Sequence, residues 1–148
     1  MNIGVVGLGV VGTAVYEGLK ALGHEMKHHD IKDNTSLKNV LGTEICFICV
    51  PTPTIEPSGA CDTAIVESIV HKLSFWKYDG IVAVKSTVTP GTVDIFKQKY
   101  SNLKICFVPE FLRERCALED FIENHDLCVI GTDDDEVYSF FGWDDSFT

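Results

Sequence analysis

The stretch Asn2-Ile-Gly-Val-Val-Gly7-Leu-Gly9-Val-Val-Gly12 decides the reading of this chain. The β-branched run from Ile3 to Val6 reads as a strand. Glycines spaced Gly-x-Gly-x-x-Gly follow at once. Beyond them Val11, Val15, Leu19 and Leu22 recur at helical spacing on one face, and Gly23 ends the helix. A glycine pattern alone is weak evidence. Set between a strand and a helix, it is the dinucleotide fingerprint. Gly7 permits the tight turn. Gly9 lets the backbone approach a pyrophosphate, which the positive end of the helix attracts. Gly12 lets helix and strand pack closely. Val10 and Val11 lie in the same loop and join the three glycines as candidate cofactor contacts.

Asp30 follows the third glycine by 18 residues and ends a second strand-like run, Glu25–His29. A carboxylate there suits the adenosine ribose hydroxyls and repels a 2′-phosphate, so NAD is expected over NADP. Lys32 lies close enough to soften that preference. His28 and His29 adjoin Asp30, but strand neighbours face opposite ways and no partner stands at ligand spacing, so no metal is expected.

The alternation continues. Strands are predicted at Ile45–Val50, Ile81–Val84, Ile105–Val108 and Leu127–Ile130. Helical patterns are predicted at Ser36–Leu41, Thr63–Leu73 behind an Asp62 cap, and Thr92–Tyr100. This implies an α/β fold: one doubly wound (Rossmann) parallel sheet of about six strands in a single domain. The domain is expected to span residues 1–132. Residues 133–148 form an acidic, aromatic tail expected to pack back as an amphipathic helix over a sheet edge. The tail carries six acidic residues and no basic ones, within a net charge of −10. That charge argues against nucleic acid as a partner.

No apolar run approaches the roughly 18 residues of a membrane span. The N-terminus lacks a basic leader, so a cytoplasmic protein without a membrane partner is expected. The six cysteines are then not read as a disulfide framework. Cys46 and Cys49 form a CxxC inside an apolar strand, where they would leave opposite faces and pack as small hydrophobes.

Polar, proline-bearing segments close three strands: Val50-Pro51-Thr52-Pro53, Lys85-Ser86-Thr87-Val88-Thr89-Pro90-Gly91-Thr92, and Val108-Pro109-Glu110-Phe111-Leu112-Arg113-Glu114. Ligands of doubly wound sheets bind beyond the carboxyl ends of the strands. Val50, Pro51, Thr52, Ser86 and Thr87 are therefore candidate cofactor contacts beside the glycine loop.

This set of segments resembles the UDP-glucose/GDP-mannose dehydrogenase family, from Met1 to about Gly131. The resemblance also takes in Gly59 with Asp62, and Ala117, Asp120 and Val129-Ile-Gly131. It departs at Val108, where the family often has Asn, and at Arg115, where it often has a small residue. The resemblance implies an oxidoreductase that converts a nucleotide-sugar alcohol to an acid with NAD, in polysaccharide biosynthesis. It implies that Glu110 assists water attack on a covalent intermediate, that Thr87 helps hold that water, and that Glu114 is a second carboxylate near the reacting carbon. Phe111, Leu112 and Arg113 would run along a UDP- or GDP-sugar. A carboxylate can accept the water's proton and a hydroxyl can fix its position, so the residue types suit these roles.

The family's catalytic Lys and nucleophilic Cys belong to a linking helix and second domain and match no residue of this chain. Cys116, between Arg115 and Ala117, sits at a structural place in the motif. Three readings follow: a dehydrogenase part whose catalytic half is a separate chain or is lost; a stand-alone NAD-binding module, regulatory or vestigial; and the NAD-binding part of a β-hydroxyacid dehydrogenase. On the first, the chain alone is expected to be inactive.

Overall fold

A computed structural model describes residues 1–123 and 128–142. Its core is a sheet of five parallel strands: β1 (Asn2–Val6), β2 (Glu25–His29), β3 (Ile45–Ile48), β6 (Ile81–Val84) and β7 (Lys104–Phe107), in the order β2-β1-β3-β6-β7. β4 (Thr54–Ile55) and β5 (Ala60–Cys61) form a small antiparallel hairpin apart from it. β3 and β6 are wholly buried, as the continuous apolar runs Ile-Cys-Phe-Ile and Ile-Val-Ala-Val require of central strands covered on both sides.

Helices sandwich the sheet. On one face α1 (Val10–Ala21) sets Val15 and Leu19 against Ile3, Val5, Ile45, Phe47 and Ala83. α4 (Ala117–Ile122) and α5 (Asp135–Phe141) join this face through Phe121, Val137 and Phe141. On the other, the 3-10 turn Leu37–Val40, α2 (Ala64–Phe75) and α3 (Thr92–Lys99) pack on Val6, Cys46, Ile48, Val82, Val84 and Ile105. Cys46 and Cys49 do contact opposite faces.

The register matters most for function. Val6 pairs with His29 and with Ile48, Ile48 with Val84, and Val84 with Phe107. The carboxyl ends of all five strands therefore form one row. The chain leaves β1 toward β2 on one side and returns to β3 on the other. That reversal between β1 and β3 is the switch point where such sheets open a crevice.

Two elements differ from expectation. The apolar run before Gly131 makes no strand at Cys128–Ile130, and Leu127 lies outside the described residues. Gly131 instead forms one antiparallel bridge with Phe107, N–H to carbonyl both ways at 3.0 and 2.7 Å. α4 has only six residues, about 9 Å of helix. The bridge joins the far end of β7, with the chain running the opposite way. The cap of α2 also shifts by one residue: Thr63 holds the cap position, and Asp62 Oδ1 accepts from Ala64 N at 3.0 Å. In the tail, Asp134 caps α5 by accepting from Glu136 N and Val137 N. Val137 and Phe141 are buried. Trp143 and Phe147 lie outside the described residues.

Leu73 of α2 is completely buried among Val66, Val70, Val82 and Tyr78. Leu73→Ala should destabilise the domain by about 2–5 kcal/mol in chemical denaturation. A change within about 0.5 kcal/mol, the usual range for surface positions, would contradict this packing.

Candidate functional site

The glycine loop sits at the switch point. Gly7 has φ +90°, and a side chain there would strike Cys49 O at 2.8 Å. A Cβ on Gly12 would lie 1.7 Å from Gly7 O, so α1 starts directly against the turn. Nothing lies within 4 Å of a Cβ on Gly9. Gly9 caps α1 without any side-chain bond, and the first turn holds no acidic residue. The first N–H groups of the helix thus have no side-chain cap and no acidic residue of the first turn to satisfy them. That is the donor set a pyrophosphate needs.

Asp30 leaves β2 and reaches across to this loop. Its Oδ2 accepts from Leu8 N at 2.7 Å and its Oδ1 from Lys32 N at 2.8 Å. These two amides hold its carboxyl below the ordinary value of 3.8. Each oxygen keeps a lone pair for a ribose hydroxyl. Asp30 therefore braces the loop and still has acceptor capacity for a ligand. Thr35 supports it by accepting from Asp30 N and donating to Asp30 O, and also meets His29 Nδ1 at 3.2 Å.

The loops after β3 and β6 are tied together. Ser86, buried, donates to Val50 O at 2.7 Å. Its hydroxyl hydrogen is thereby spent on the fold, and only its oxygen is left to meet a ligand. The β4–β5 hairpin brings Cys61 Sγ to Thr52 O at 3.6 Å and Thr87 O at 3.3 Å. Thr87 is exposed at the mouth of this junction.

Past β7, Glu110 turns back under its own loop. Oε1 accepts from Phe111 N and Leu112 N, both at 2.8 Å. Lys85 Nζ stands 2.9 Å from Oε2. Among the described residues this ion pair is the one partner of Oε2, which is otherwise buried without a hydrogen bond. The Arg113 side chain is committed to Asp120: Nε and Nη2 donate at 2.9 and 2.6 Å, and Arg113 N adds a third bond. This ion pair holds Asp120 far below the usual carboxylate range. Cys116 Sγ also points at Asp120, 3.6 Å from Oδ2. Asp120 thus engages both the guanidinium and the backbone N–H of Arg113. The Arg113 carbonyl, which accepts from Cys116 N at 3.0 Å, keeps one lone pair for a ligand. Phe111 is exposed, and Glu114 is exposed at the start of the 3-10 turn Glu114–Cys116.

Every candidate residue therefore follows the carboxyl end of β1, β2, β3, β6 or β7. The sequence did not disclose Lys85 as a buried partner of Glu110. The available signal was a lysine closing a four-residue apolar strand. Among the described residues no group of three or more His, Cys, Asp and Glu can hold a metal ion. His28 lies 3.6 Å from Asp33 and edge-on to Tyr16. Burial pushes the Cys46 thiol up, and pushes those of Cys49 and Cys106 up to about 12, far from reactive thiolates. A cleft of about 510 Å³, lined by Ser74, Phe75, Lys77, Tyr78, Asp79 and Asn102, opens near the amino ends of β6 and β7 and includes none of the site residues. The polar groups that converge at the switch point mark the site; this cleft does not. No helix of the described residues is long and apolar enough to cross a membrane.

Comparison with known proteins shows the family and the fold. Residues 33–141 match the UDP-glucose/GDP-mannose dehydrogenase family, NAD binding domain. A UDP-glucose 6-dehydrogenase of Rickettsia bellii is 36% identical over 122 residues, covering 79% of this chain and 27% of that protein. A UDP-glucose 6-dehydrogenase of Haloferax volcanii is 27% identical, covering 93% of this chain and 42% of that protein. The chain thus spans less than half the length of these relatives. Among solved structures, a ternary complex of GDP-mannose dehydrogenase from Pseudomonas aeruginosa superposes with a TM-score of 0.80 at 24% identity, over 95% of this chain and 43% of that one. A 3-hydroxyisobutyrate dehydrogenase of Mycobacterium tuberculosis gives 0.71 at 13% identity, over 93% and 48%. These two likenesses establish the Rossmann fold.

The depressed carboxyl of Asp30 has a signature in acid. Its bonds contribute fully above the ordinary value of 3.8 and are lost as pH falls through the lower folded value. Protection of the Leu8 and Lys32 amides from hydrogen exchange should therefore hold down to about pH 4 and fade below it. In Asp30→Asn that acid step should vanish. A wild-type loss of protection that begins near neutral pH would contradict the assignment.

Proposed function

Because this chain belongs to the UDP-glucose/GDP-mannose dehydrogenase family, as its NAD-binding domain, we propose that it forms the cofactor half and part of the sugar site of a nucleotide-sugar dehydrogenase. The observation that carries this is the uncapped start of α1 at Gly9, braced by Asp30, in one row with the loops bearing Thr87 and Glu110. NAD, when bound, supplies the hydride acceptor.

The chain's own groups supply the rest. Amides of Gly9, Val10, Val11 and Gly12 bind the pyrophosphate. Asp30 takes the ribose and excludes a 2′-phosphate. Val50, Pro51, Thr52, Ser86 and Thr87 form the wall over the cofactor's far end. The Phe111–Arg113 backbone runs along a UDP- or GDP-sugar. Glu110 accepts a proton from water that Thr87 orients, and Glu114 faces the reacting carbon. The product is a sugar acid of the kind used in polysaccharide assembly.

The Lys and Cys that the family's full reaction calls for match none of these residues, and a separate domain bearing them is the partner this reading requires. Enclosure and positioning of substrate are worth roughly 7–11 kcal/mol of barrier. An open half-site gives that up, so the 148-residue chain should bind NAD without turning over a nucleotide sugar. The stand-alone NAD-binding module makes the same binding prediction and parts from this reading at the sugar.

Calorimetric titration should show NAD bound at least about tenfold more tightly than NADP, a difference of about 1.4 kcal/mol. Asp30→Ala should weaken NAD and narrow that gap. UDP-glucose or GDP-mannose should bind to the NAD-loaded protein without sustained NADH absorbance. Equal affinity for NAD and NADP would overturn the Asp30 role. Absence of any sugar-nucleotide binding would favour the stand-alone module. Sustained formation of a sugar acid would contradict the need for a second domain.

A further inference from the structure

Lys85 is the one buried cation among the described residues. It stands at the end of β6, where Val84 pairs with Phe107 and Val84 O accepts from Val108 N at 2.9 Å. Its Nζ therefore reaches the segment that leaves β7. Glu110 meets it there at 2.9 Å, with side-chain exposures of 8% for Lys85 and 14% for Glu110. Two such charges cannot be removed from water singly. An uncompensated buried carboxylate either takes a proton or swings out to solvent.

Glu110 is more than a charge. Its Oε1 accepts the N–H groups of both Phe111 and Leu112, so its position sets the path of that backbone. Its Oε2 is buried with no partner other than the ammonium 2.9 Å away, so that ammonium is what holds it. The Cys49 thiol, beyond the end of β3, senses both charges. Burial keeps it protonated, so it brings no rival charge to the pair. The order of dependence is then Lys85, Glu110, and the amides of Phe111 and Leu112.

We propose that Lys85 is a positioning residue for the Pro109–Arg113 segment, holding Glu110 beneath its own loop and so fixing the backbone at the sugar side of the site. The sugar-facing role of this segment rests on the function proposed above. The anchor itself does not.

The test uses the full chain without sugar or cofactor, and reads amide hydrogen exchange by NMR in Lys85→Met, Glu110→Gln and the double variant. Lys85→Met should speed exchange at Phe111 and Leu112 by about tenfold or more, while core amides such as Val5 and Ile105 change by less than about threefold, since local openings differ from global unfolding. With Glu110→Gln already present, adding Lys85→Met should bring no further acceleration at Phe111 and Leu112, because it strands no carboxylate and removes the ammonium that Glu110→Gln leaves unpaired. Equal acceleration by Lys85→Met in both backgrounds would reveal a packing role only and overturn the proposal, as would no acceleration in either. If Lys85→Met does not fold, recovery of folding in the double variant supports the anchor and failure of both overturns it. Titration of the same variants with UDP-glucose separates the questions: silence from the wild type counts against the sugar reading, while the exchange data still decide the role of Lys85.

Discussion

The contact between Gly12 and Gly7 governs this structure. A single methyl group on Gly12 would sit 1.7 Å from a backbone oxygen, so α1 can begin where it does only because that position is bare. This closeness points the first turn of α1 across the ends of β1 and β3. It also brings Leu8 N within reach of Asp30, 22 residues on. From the one approach follow the open donors at Gly9, the brace from β2, and the crevice at the switch point.

The remaining loops are fixed to that crevice largely through backbone groups. Ser86 binds Val50 O, Cys61 spans Thr52 O and Thr87 O, and Glu110 gathers two amides of its own loop. Side chains that read as ligand contacts are in part spent on holding these loops. Asp30 can do both jobs because a carboxylate has lone pairs to spare. Arg113 does not, since three bonds commit it to Asp120. A site held this way loses geometry as well as contacts when one residue changes. For that reason the variants above pair a binding readout with a local one.

Much of this was legible in the sequence, for identifiable reasons. Glycine spacing, the acid after the second strand and the apolar runs of β3 and β6 reflect local constraints, and local constraints leave local marks. The strand order β2-β1-β3-β6-β7 left none, because pairing partners lie far apart in sequence. Among the described residues the expected sixth strand is reduced to one antiparallel bridge at Gly131, although Cys128–Ile130 carry an apolar pattern. The Lys85–Glu110 pair was invisible because the residues are 25 apart and each looks ordinary alone. Only the register that aligns Val84 with Phe107 brings them together. The resemblance supplied roles for Thr87, Glu110 and Glu114. The geometry adds that Glu110 begins from a partly buried, braced position, while Thr87 and Glu114 begin exposed.

The central claim is that a dinucleotide lies across the start of α1 with its ribose on Asp30. Amide chemical shifts followed by NMR through a titration with NAD test this most directly. The account predicts the largest shifts at Gly7, Leu8, Gly9, Val10, Val11 and Gly12, with a second group at Asp30 and Lys32 and smaller ones at Thr52 and Thr87. Shifts concentrated instead on Ser74, Tyr78 and Asn102, around the cleft near the amino ends of β6 and β7, would contradict it.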